Sequence, residues 1–248
     1  MESGLNCGLT SGALGGQEGT SVDVVIFDWD DTLFPSSYVD PVRPWRVNLR
    51  GGAEALALLQ EAAKKAQVVI ISNGSPELYE SLQYPGYEGV RHFLHQQQIP
   101  FISSRKHADK ACRGKLDSST WKRGCFGDLL KGLRVMGLEP TRVVSVGDSP
   151  YDMSALEANR PLIRGAAVTK VRLLRKPSEE TLIQEHRELL WTWRKVLRDT
   201  RENLVMGTGE TGVRVELQAY KQKYTDIYLQ HDPDRRGCPP CAHPLQAL

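Results

Sequence analysis

The chain has 248 residues, of which 40% are hydrophobic, and its formal net charge is +2. This length and apolar content are enough for one medium-sized domain with a buried core and appendages. A charge so close to zero gives no general argument for binding to nucleic acid or to a membrane, and no apolar stretch has the length of a membrane span. We therefore expect a soluble, cytoplasmic protein whose oligomeric state the sequence leaves open.

The two ends of the chain are predicted to be disordered tails. Residues 1–20 are rich in Gly and Ser and lack the basic start and apolar core of a secretory signal. Residues 231–248 are rich in Pro and contain Cys238 and Cys241, whose role as a metal-binding or disulfide pair stays open. The five cysteines form no regular framework, which is typical of a reducing compartment.

The first predicted strand is the apolar run Val24-Val25-Ile26-Phe27, which leads directly into Asp28 and Asp30. In open parallel sheets, ligands gather outside the carboxyl ends of the strands. The spacing of two residues points both carboxylates to the same side of an extended backbone. One carboxylate can then attack a substrate while the other handles protons, although a buried strand followed by an Asp-rich turn also explains the pattern.

Two further predicted strands end in polar turns. Val68-Val69-Ile70-Ile71 leads into Ser72 and Asn73, where a small hydroxyl and the following amides suit a phosphate oxygen. Val143-Val144-Ser145-Val146 leads into Asp148 and Asp152, which flank a tight turn into a helix. Two carboxylates at this spacing suit a hard, oxygen-ligated cation such as Mg²⁺, and a simple helix cap also fits them.

The segments between these strands read as alternating helices and strands, which predicts a parallel sheet with the first and fourth strands adjacent. We predict a helix over 52–66, one or two short helices over 76–98, a short strand at 101–104, a polar loop at 105–120, a helical segment over 121–130 and a fifth strand at 166–174. A long amphipathic helix is predicted over 178–205, with Leu182, Leu189 and Trp193 on its apolar face, and a further helix at 207–230. The apolar face of the long helix can pack on the sheet or bind a partner.

Together these motifs resemble the haloacid dehalogenase-like (HAD) hydrolase superfamily. Its members carry an Asp-x-Asp-x-Thr strand end, a strand ending in Ser or Thr, a Lys, and a Gly-Asp-x-x-x-Asp turn, and the same order occurs here between about residues 22 and 175. The Asp-Trp-Asp-Asp-Thr start is also similar to that of a set of protist proteins. The resemblance implies a three-layer α/β/α Rossmann-like fold with a mainly parallel five-stranded sheet, within a domain spanning 21–206.

The resemblance also implies the site residues and their roles. Asp28 is the nucleophile that forms an aspartyl-phosphate, and Asp30 protonates the leaving group and later activates water. Mg²⁺ is held by Asp28, the Asp30 carbonyl and Asp148, with Asp152 assisting. Thr32 supports the loop geometry, and Ser72 with Asn73 binds the phosphoryl group.

The lysine of the third motif has no sequence signature of its own. Five lysines lie between the second and fourth motifs, at Lys106, Lys110, Lys115, Lys122 and Lys131. Lys122 is favoured because it opens the segment that leads into the fourth-motif strand, and Lys115 is the main alternative. An ammonium at this place neutralises charge between the nucleophile and the phosphoryl group.

Family members that act on small metabolites often carry a separate cap domain. Here residues 34–50 are long enough only for a flap, whose Tyr38, Arg43, Trp45 and Arg46 are candidate substrate contacts. The expected substrate is therefore a phosphorylated small molecule or a phosphoprotein. The resemblance favours a magnesium-dependent phosphatase over a dehalogenase, which needs neither the second Asp nor the metal acids; a catalytically silent binding or regulatory protein is the alternative.

Overall fold

The computed structural model describes residues 20–39, 49–74, 81–111, 118–197 and 203–205. Several sequence predictions lie outside these ranges: the tail over 1–19, the helix over 207–230, the tail over 231–248, and the flap residues Arg43, Trp45 and Arg46.

Within the described residues, strands and helices alternate along the chain. The strands are β1 (Thr20–Phe27), β2 (Gln67–Ser72), β3 (Phe101–Ser103), β4 (Leu138–Gly147), β5 (Ala167–Arg172) and β6 (Asn203–Val205). The helices are α1 (Gly52–Ala63), α2 (Glu88–Gln96), α3 (Ser104–Ala111), α4 (Ser118–Val135), α5 (Pro150–Ala158) and α6 (Glu179–Val196), and a short 3₁₀ helix spans Arg160–Ile163.

The strands form one parallel sheet in the order β3-β2-β1-β4-β5-β6. The predicted adjacency of the first and fourth strands is confirmed, with Phe27 opposite Val146. Helices pack on both faces, so the predicted three-layer α/β fold is also confirmed.

Each face of the sheet has its own apolar core, because successive side chains of β1 point to opposite faces. Val25 and Phe27 lie in a large cluster with the aromatic rings of Trp29 and Tyr87 and with residues of α1, α2 and α6. Val24 and Ile26 lie in a second, mostly aliphatic cluster with residues of α4 and α5. This cluster is separate from the first. β1 is therefore the central strand that both layers cover.

The sheet has a sixth strand that the sequence analysis missed. The predicted helix over 178–205 ends at Val196 instead, and Asn203–Val205 pairs in parallel with β5. A strand at this place covers the backbone groups that β5 would otherwise leave unpaired at an edge.

The predicted polar loop over 105–120 is wrong. Residues Ser104–Ala111 form α3, and α4 begins at Ser118, three residues before the predicted start. Local composition is polar, but α3 packs on α4: His107 lies 3.0 Å from Asp128, and Arg105 lies over the ring of Trp121. Such tertiary contacts override local propensity.

The predicted boundary between tail and domain also shifts slightly. β1 begins at Thr20, inside the predicted tail, because its amide donates to the carbonyl of Gly137 and the residue pairs with Leu138. At the predicted break over 84–86 the structure agrees, with α2 beginning after it at Glu88.

Candidate active site

Three neighbouring strands deliver polar side chains to one edge of the sheet. Asp28 follows β1, Ser72 ends β2, and Asp148 follows β4, and these strands are adjacent in the sheet. All three side chains are buried, with Ser72 fully so. The carboxyl edge of the central strands thus carries a buried polar cluster next to the apolar core, which is where parallel sheets place their sites.

Lys122 lies in this cluster, between two carboxylates. Its ammonium is 2.7 Å from Asp28 Oδ1 and forms a second ion pair with Asp152 Oδ1. The lysine is 1% exposed, which is rare for this residue type unless it is paired. Of the two lysines that the sequence left open, Lys122 is the one in contact with Asp28, and Lys115 lies outside the described residues.

The pKa values of these groups follow from burial and from their neighbours. Burial raises the pKa of Asp28 well above its usual range, Asp152 adds to the shift, and Lys122 opposes it. Burial lowers the pKa of Lys122, but the carboxylates of Asp152 and Asp28 outweigh it, so that the pKa of the lysine is raised overall. The two carboxylates therefore favour the protonated, cationic form of Lys122.

Asp148 completes a cluster of three buried carboxylates. One oxygen from each of Asp28, Asp148 and Asp152 lies within 4.8 Å of the others. Burial, and then repulsion from Asp152 and Asp31, raise the pKa of Asp148 to about 7. When all three acids are ionised, their charge exceeds that of the single ammonium of Lys122 by two, and the described residues supply no further buried cation among them. An oxygen-only donor set with this excess charge fits Mg²⁺.

The three acids differ in how many donors they already hold. Both oxygens of Asp152 are engaged, one by Lys122 and the other by the backbone amide of Ser149 at 3.2 Å. Asp28 Oδ1 accepts from Lys122 and, at 2.8 Å, from its neighbouring amide at Trp29. Within the described part of the chain, no donor is recorded for Asp28 Oδ2, which leaves that oxygen for chemistry.

Asp30 lies beside Asp28 and is held by two hydroxyl groups. Ser72 Oγ donates to its Oδ2 at 2.6 Å, and Ser36 Oγ donates to its Oδ1 at 2.5 Å. Ser72 Oγ in turn accepts from the amide of Gly74 at 2.9 Å. Ser72 therefore faces the acid, and binding a phosphoryl oxygen requires its hydroxyl to turn away from Asp30.

Thr32 connects two of the site loops. Its side chain is fully buried, and Thr32 Oγ1 accepts from the backbone amide of Asp148 at 3.0 Å. Asn73 is directed elsewhere, since its Oδ1 accepts from Ser104 Oγ at 2.5 Å at the start of α3. Thr32 and Asn73 thus both hold neighbouring segments in this structure.

Asp31 has a backbone conformation that glycine adopts most easily. Its φ angle is 53°, in the left-handed region that non-glycine residues adopt with strain. Its carboxylate compensates by accepting from the amide of Ser37 at 2.7 Å and from the hydroxyl of the same serine at 2.5 Å. This side chain, which belongs to none of the predicted site residues, thus holds Ser37 at the start of the flap.

The turn between β4 and α5 is shaped by local sequence. Ser149 caps α5 through its hydroxyl, Pro150 occupies the first turn, and Asp152 completes the capping box. A side chain at Gly147 would collide with the carboxylate of Asp152. Glycine is therefore required here so that Asp152 can approach the strand end and reach Lys122.

Some residues near the site were not singled out by the sequence analysis. The hydroxyl of Tyr87 donates to the carbonyl of Leu33 at 3.0 Å, and His186 Nε2 lies 2.7 Å from the carbonyl of Thr32. Glu185 and His186 lie three or four residues from Leu182 and Leu189 and are fully buried with them. Polar residues on the apolar stripe of the predicted helix are the signal that could have found Glu185 and His186.

Comparison with known proteins gives little further guidance. No known protein family and no curated protein matches the chain. Among solved structures, the chain is similar to the crystal structure of a trehalose-6-phosphate phosphatase related protein, with 14% identity over 70% of this chain and 99% of that one. The TM-score is 0.30, so this likeness carries no weight for function.

No helix in the described ranges is both long and apolar enough to cross a membrane.

Proposed function

We propose that the protein is a magnesium-dependent phosphatase of the HAD-like superfamily, which hydrolyses a phosphomonoester through an aspartyl-phosphate on Asp28. The observation that carries the proposal is the buried ion-pair arrangement in which Lys122 bridges Asp28 and Asp152, with Asp148 beside them. Burying four charged groups is costly, and this cost is accepted in proteins where the charges do chemistry.

In the first step, Asp28 Oδ2 attacks the phosphorus atom and the bond to the leaving oxygen breaks. Asp30 gives its proton to that oxygen, so that the product leaves as an alcohol. In the second step, Asp30 takes a proton from a water molecule that attacks the phosphorus, and the bond from phosphorus to Asp28 breaks to release inorganic phosphate. Asp28 and Asp30 thus return to their starting states, and one water molecule is consumed, its oxygen leaving in the phosphate.

Two features of the site prepare these steps. Lys122 and the amide of Trp29 hold Asp28 Oδ1, which fixes the carboxylate and neutralises part of its charge. The hydroxyl groups of Ser36 and Ser72 hold both oxygens of Asp30, and Ser72 reaches the phosphoryl group by exchanging this partner. Phosphoryl transfer relies mainly on such positioning and charge neutralisation.

Asp28 and Asp148, with the Asp30 carbonyl, would hold Mg²⁺, which would supply positive charge for the phosphate oxygens. Asp152 then assists by orienting Lys122, since both of its oxygens already have donors. The substrate is a phosphorylated small molecule or a phosphoprotein, and exposed Tyr38 at the start of the flap is a candidate contact. We propose that the protein is located in the cytoplasm.

The test is hydrolysis of an aryl phosphate and of a panel of phosphometabolites and phosphopeptides, with Mg²⁺ and with EDTA. Activity should require Mg²⁺ and should fall by at least ~10³-fold in Asp28→Asn, because the nucleophile is lost. The same loss is expected for Asp30→Asn. Acid-quenched wild type should carry a phosphoryl adduct on the peptide that contains Asp28.

Asp128→Asn is the matched control, because Asp128 has a largely exposed carboxylate that faces His107 on the surface. It should retain wild-type activity. Full activity of Asp28→Asn would exclude the covalent mechanism. Inactivity of well-folded wild type on the whole panel would instead favour a silent binding or regulatory protein.

A further inference from the structure

Helix α6 buries two titratable side chains that the proposed reaction does not use. Glu185 and His186 are consecutive in the chain, and both are 0% exposed. Buried polar groups cost free energy unless they are hydrogen-bonded, so such residues on a packing helix call for a reason. Each of them has one recorded partner, and both partners are backbone groups next to the candidate active site.

His186 is a hydrogen-bond donor to the first site loop. Its Nε2 lies 2.7 Å from the carbonyl oxygen of Thr32, which can only accept, so Nε2 carries the proton. Burial lowers the pKa of His186, which keeps the ring neutral and leaves Nδ1 unprotonated. Nδ1 has no partner among the described residues. The histidine therefore makes one directed contact, and that contact is to Thr32.

Thr32 passes this constraint on to the acidic cluster. Its carbonyl is held by His186, and its Oγ1 accepts from the amide of Asp148 at 3.0 Å. One residue therefore ties α6, the loop of Asp28 and Asp30, and the loop of Asp148 together. A change in the tilt of the Thr32 peptide would move both loops.

Glu185 makes the corresponding contact on the other side of the site. Its Oε1 accepts from the amide of Leu174 at 2.8 Å, just after β5. The preceding amide, at Leu173, donates to the carbonyl of Gly147 at 2.9 Å, next to Asp148. The two neighbouring residues of α6 thus hold segments that lie on either side of the Asp148 loop.

We propose that α6 is part of the catalytic framework, and that His186 is a positioning residue that sets the loops of Asp28 and Asp148 through Thr32. This proposal rests on the proposed phosphatase function. Reacting groups must be held in register for phosphoryl transfer, and a displacement of about 1 Å can cost ~100-fold in rate. A helix far along the chain from the first motif therefore contributes to turnover without touching the substrate.

Three variants test the positioning role. His186→Leu fills the space of the imidazole with an apolar side chain but removes the hydrogen-bond donor. We expect kcat to fall by ~10- to 100-fold with little change in KM. His186→Gln restores an amide donor and should recover most of this loss. Leu189→Ala is the control: Leu189 is 0% exposed on the same helix and belongs to the same apolar cluster. It should lower the unfolding temperature while kcat stays within about twofold.

A second readout does not depend on catalysis. Amide hydrogen exchange, measured without Mg²⁺ at a temperature where all variants are folded, should accelerate at Asp148 and Thr32 in His186→Leu. Leu189→Ala, at a matched distance below its unfolding temperature, should not show this local change. Unchanged exchange in His186→Leu would overturn the proposal, as would accelerated exchange with an unchanged kcat. If wild type hydrolyses nothing, the phosphatase function fails, and the exchange data alone decide whether His186 holds the loop.

Discussion

The two faces of the sheet contribute different things to the same site. The face covered by α4 and α5 supplies charge, in the form of Lys122 and Asp152. The face covered by α1, α2 and α6 supplies neutral donors, of which Tyr87 and His186 bond to the carbonyls of the first loop. One layer therefore provides the charged groups, and the other holds the backbone that presents Asp28, the proposed nucleophile.

The pleat of β1 and its continuation explain this division. Asp28 follows Val24 and Ile26 at intervals of two residues and reaches Lys122 on the aliphatic side. Trp29, one residue later, points to the aromatic side. There it stacks on Phe34 with a centroid distance of 5.7 Å and packs against Tyr87, and its Nε1 donates to Ser81 Oγ at 2.8 Å. The reactive group and its anchor are thus adjacent residues on opposite faces.

The largest effect is expected from removing the charge of Lys122, on the face covered by α4 and α5. Lys122→Met removes the ammonium but keeps a side chain of similar length, leaving Asp28 and Asp152 buried without their cation. We expect the free energy of unfolding at pH 8, measured by urea denaturation in EDTA, to fall by about 3–5 kcal/mol. Added Mg²⁺ should restore part of the loss, because it supplies positive charge to the same acids.

Lys131→Met is the matched control for this substitution. Lys131 has a half-exposed side chain on the same helix and lies 3.8 Å from Asp128. Its loss should change the free energy of unfolding by less than about 0.5 kcal/mol. A similarly small loss in Lys122→Met would mean that the buried carboxylates do not depend on the lysine.

A smaller, pH-dependent effect is expected at Glu185, on the face covered by α1, α2 and α6. Burial raises the pKa of Glu185 from 4.5 to about 7, so the folded state binds this proton more tightly than the unfolded state does. The contribution of this group to the free energy of unfolding is therefore fully present below about pH 4.5 and is lost as the pH rises through about 7. Because glutamine does not titrate, the free energy of unfolding of Glu185→Gln, relative to that of wild type, should rise by up to about 3 kcal/mol between pH 4.5 and pH 8.

The measurement is the difference in the free energy of unfolding between Glu185→Gln and wild type, determined in EDTA across this pH range. Glu188→Gln, a partly exposed residue of the same helix, controls for the exchange of a carboxylate for an amide. It should change stability by no more than about 0.5 kcal/mol. A difference between Glu185→Gln and wild type that does not vary with pH contradicts the expectation.

The smallest effect sharpens the role of the neutral donors. Tyr87→Phe keeps the buried ring but removes the hydroxyl that bonds to the carbonyl of Leu33, and we expect a loss of about 1 kcal/mol in urea denaturation. Tyr38→Phe, on an exposed tyrosine, should have no measurable effect on stability. If both variants match wild type, the hydroxyl of Tyr87 contributes nothing to holding the loop.

The sequence predicts the charged side of the site far better than the neutral side. Asp28, Asp148 and Lys122 come at strand ends or in the segment that leads to one, and parallel topology brings strand ends together. The bonds of Tyr87 and His186 to backbone carbonyls depend on how distant helices pack, and no local pattern encodes them. For the same reason α3 and β6 were missed, since α4 and β5 stabilise them through tertiary contacts.

The contacts of Asp30 and Asp31 have a consequence for the start of the flap. Two consecutive acids each hold a consecutive serine: Asp30 holds Ser36, and Asp31 holds Ser37. The start of the flap and Asp30, the proposed acid, are therefore coupled, and moving Ser36 away removes a hydrogen bond from Asp30. With glycine at position 31 the turn would form with less strain, but one of the two tethers would be gone.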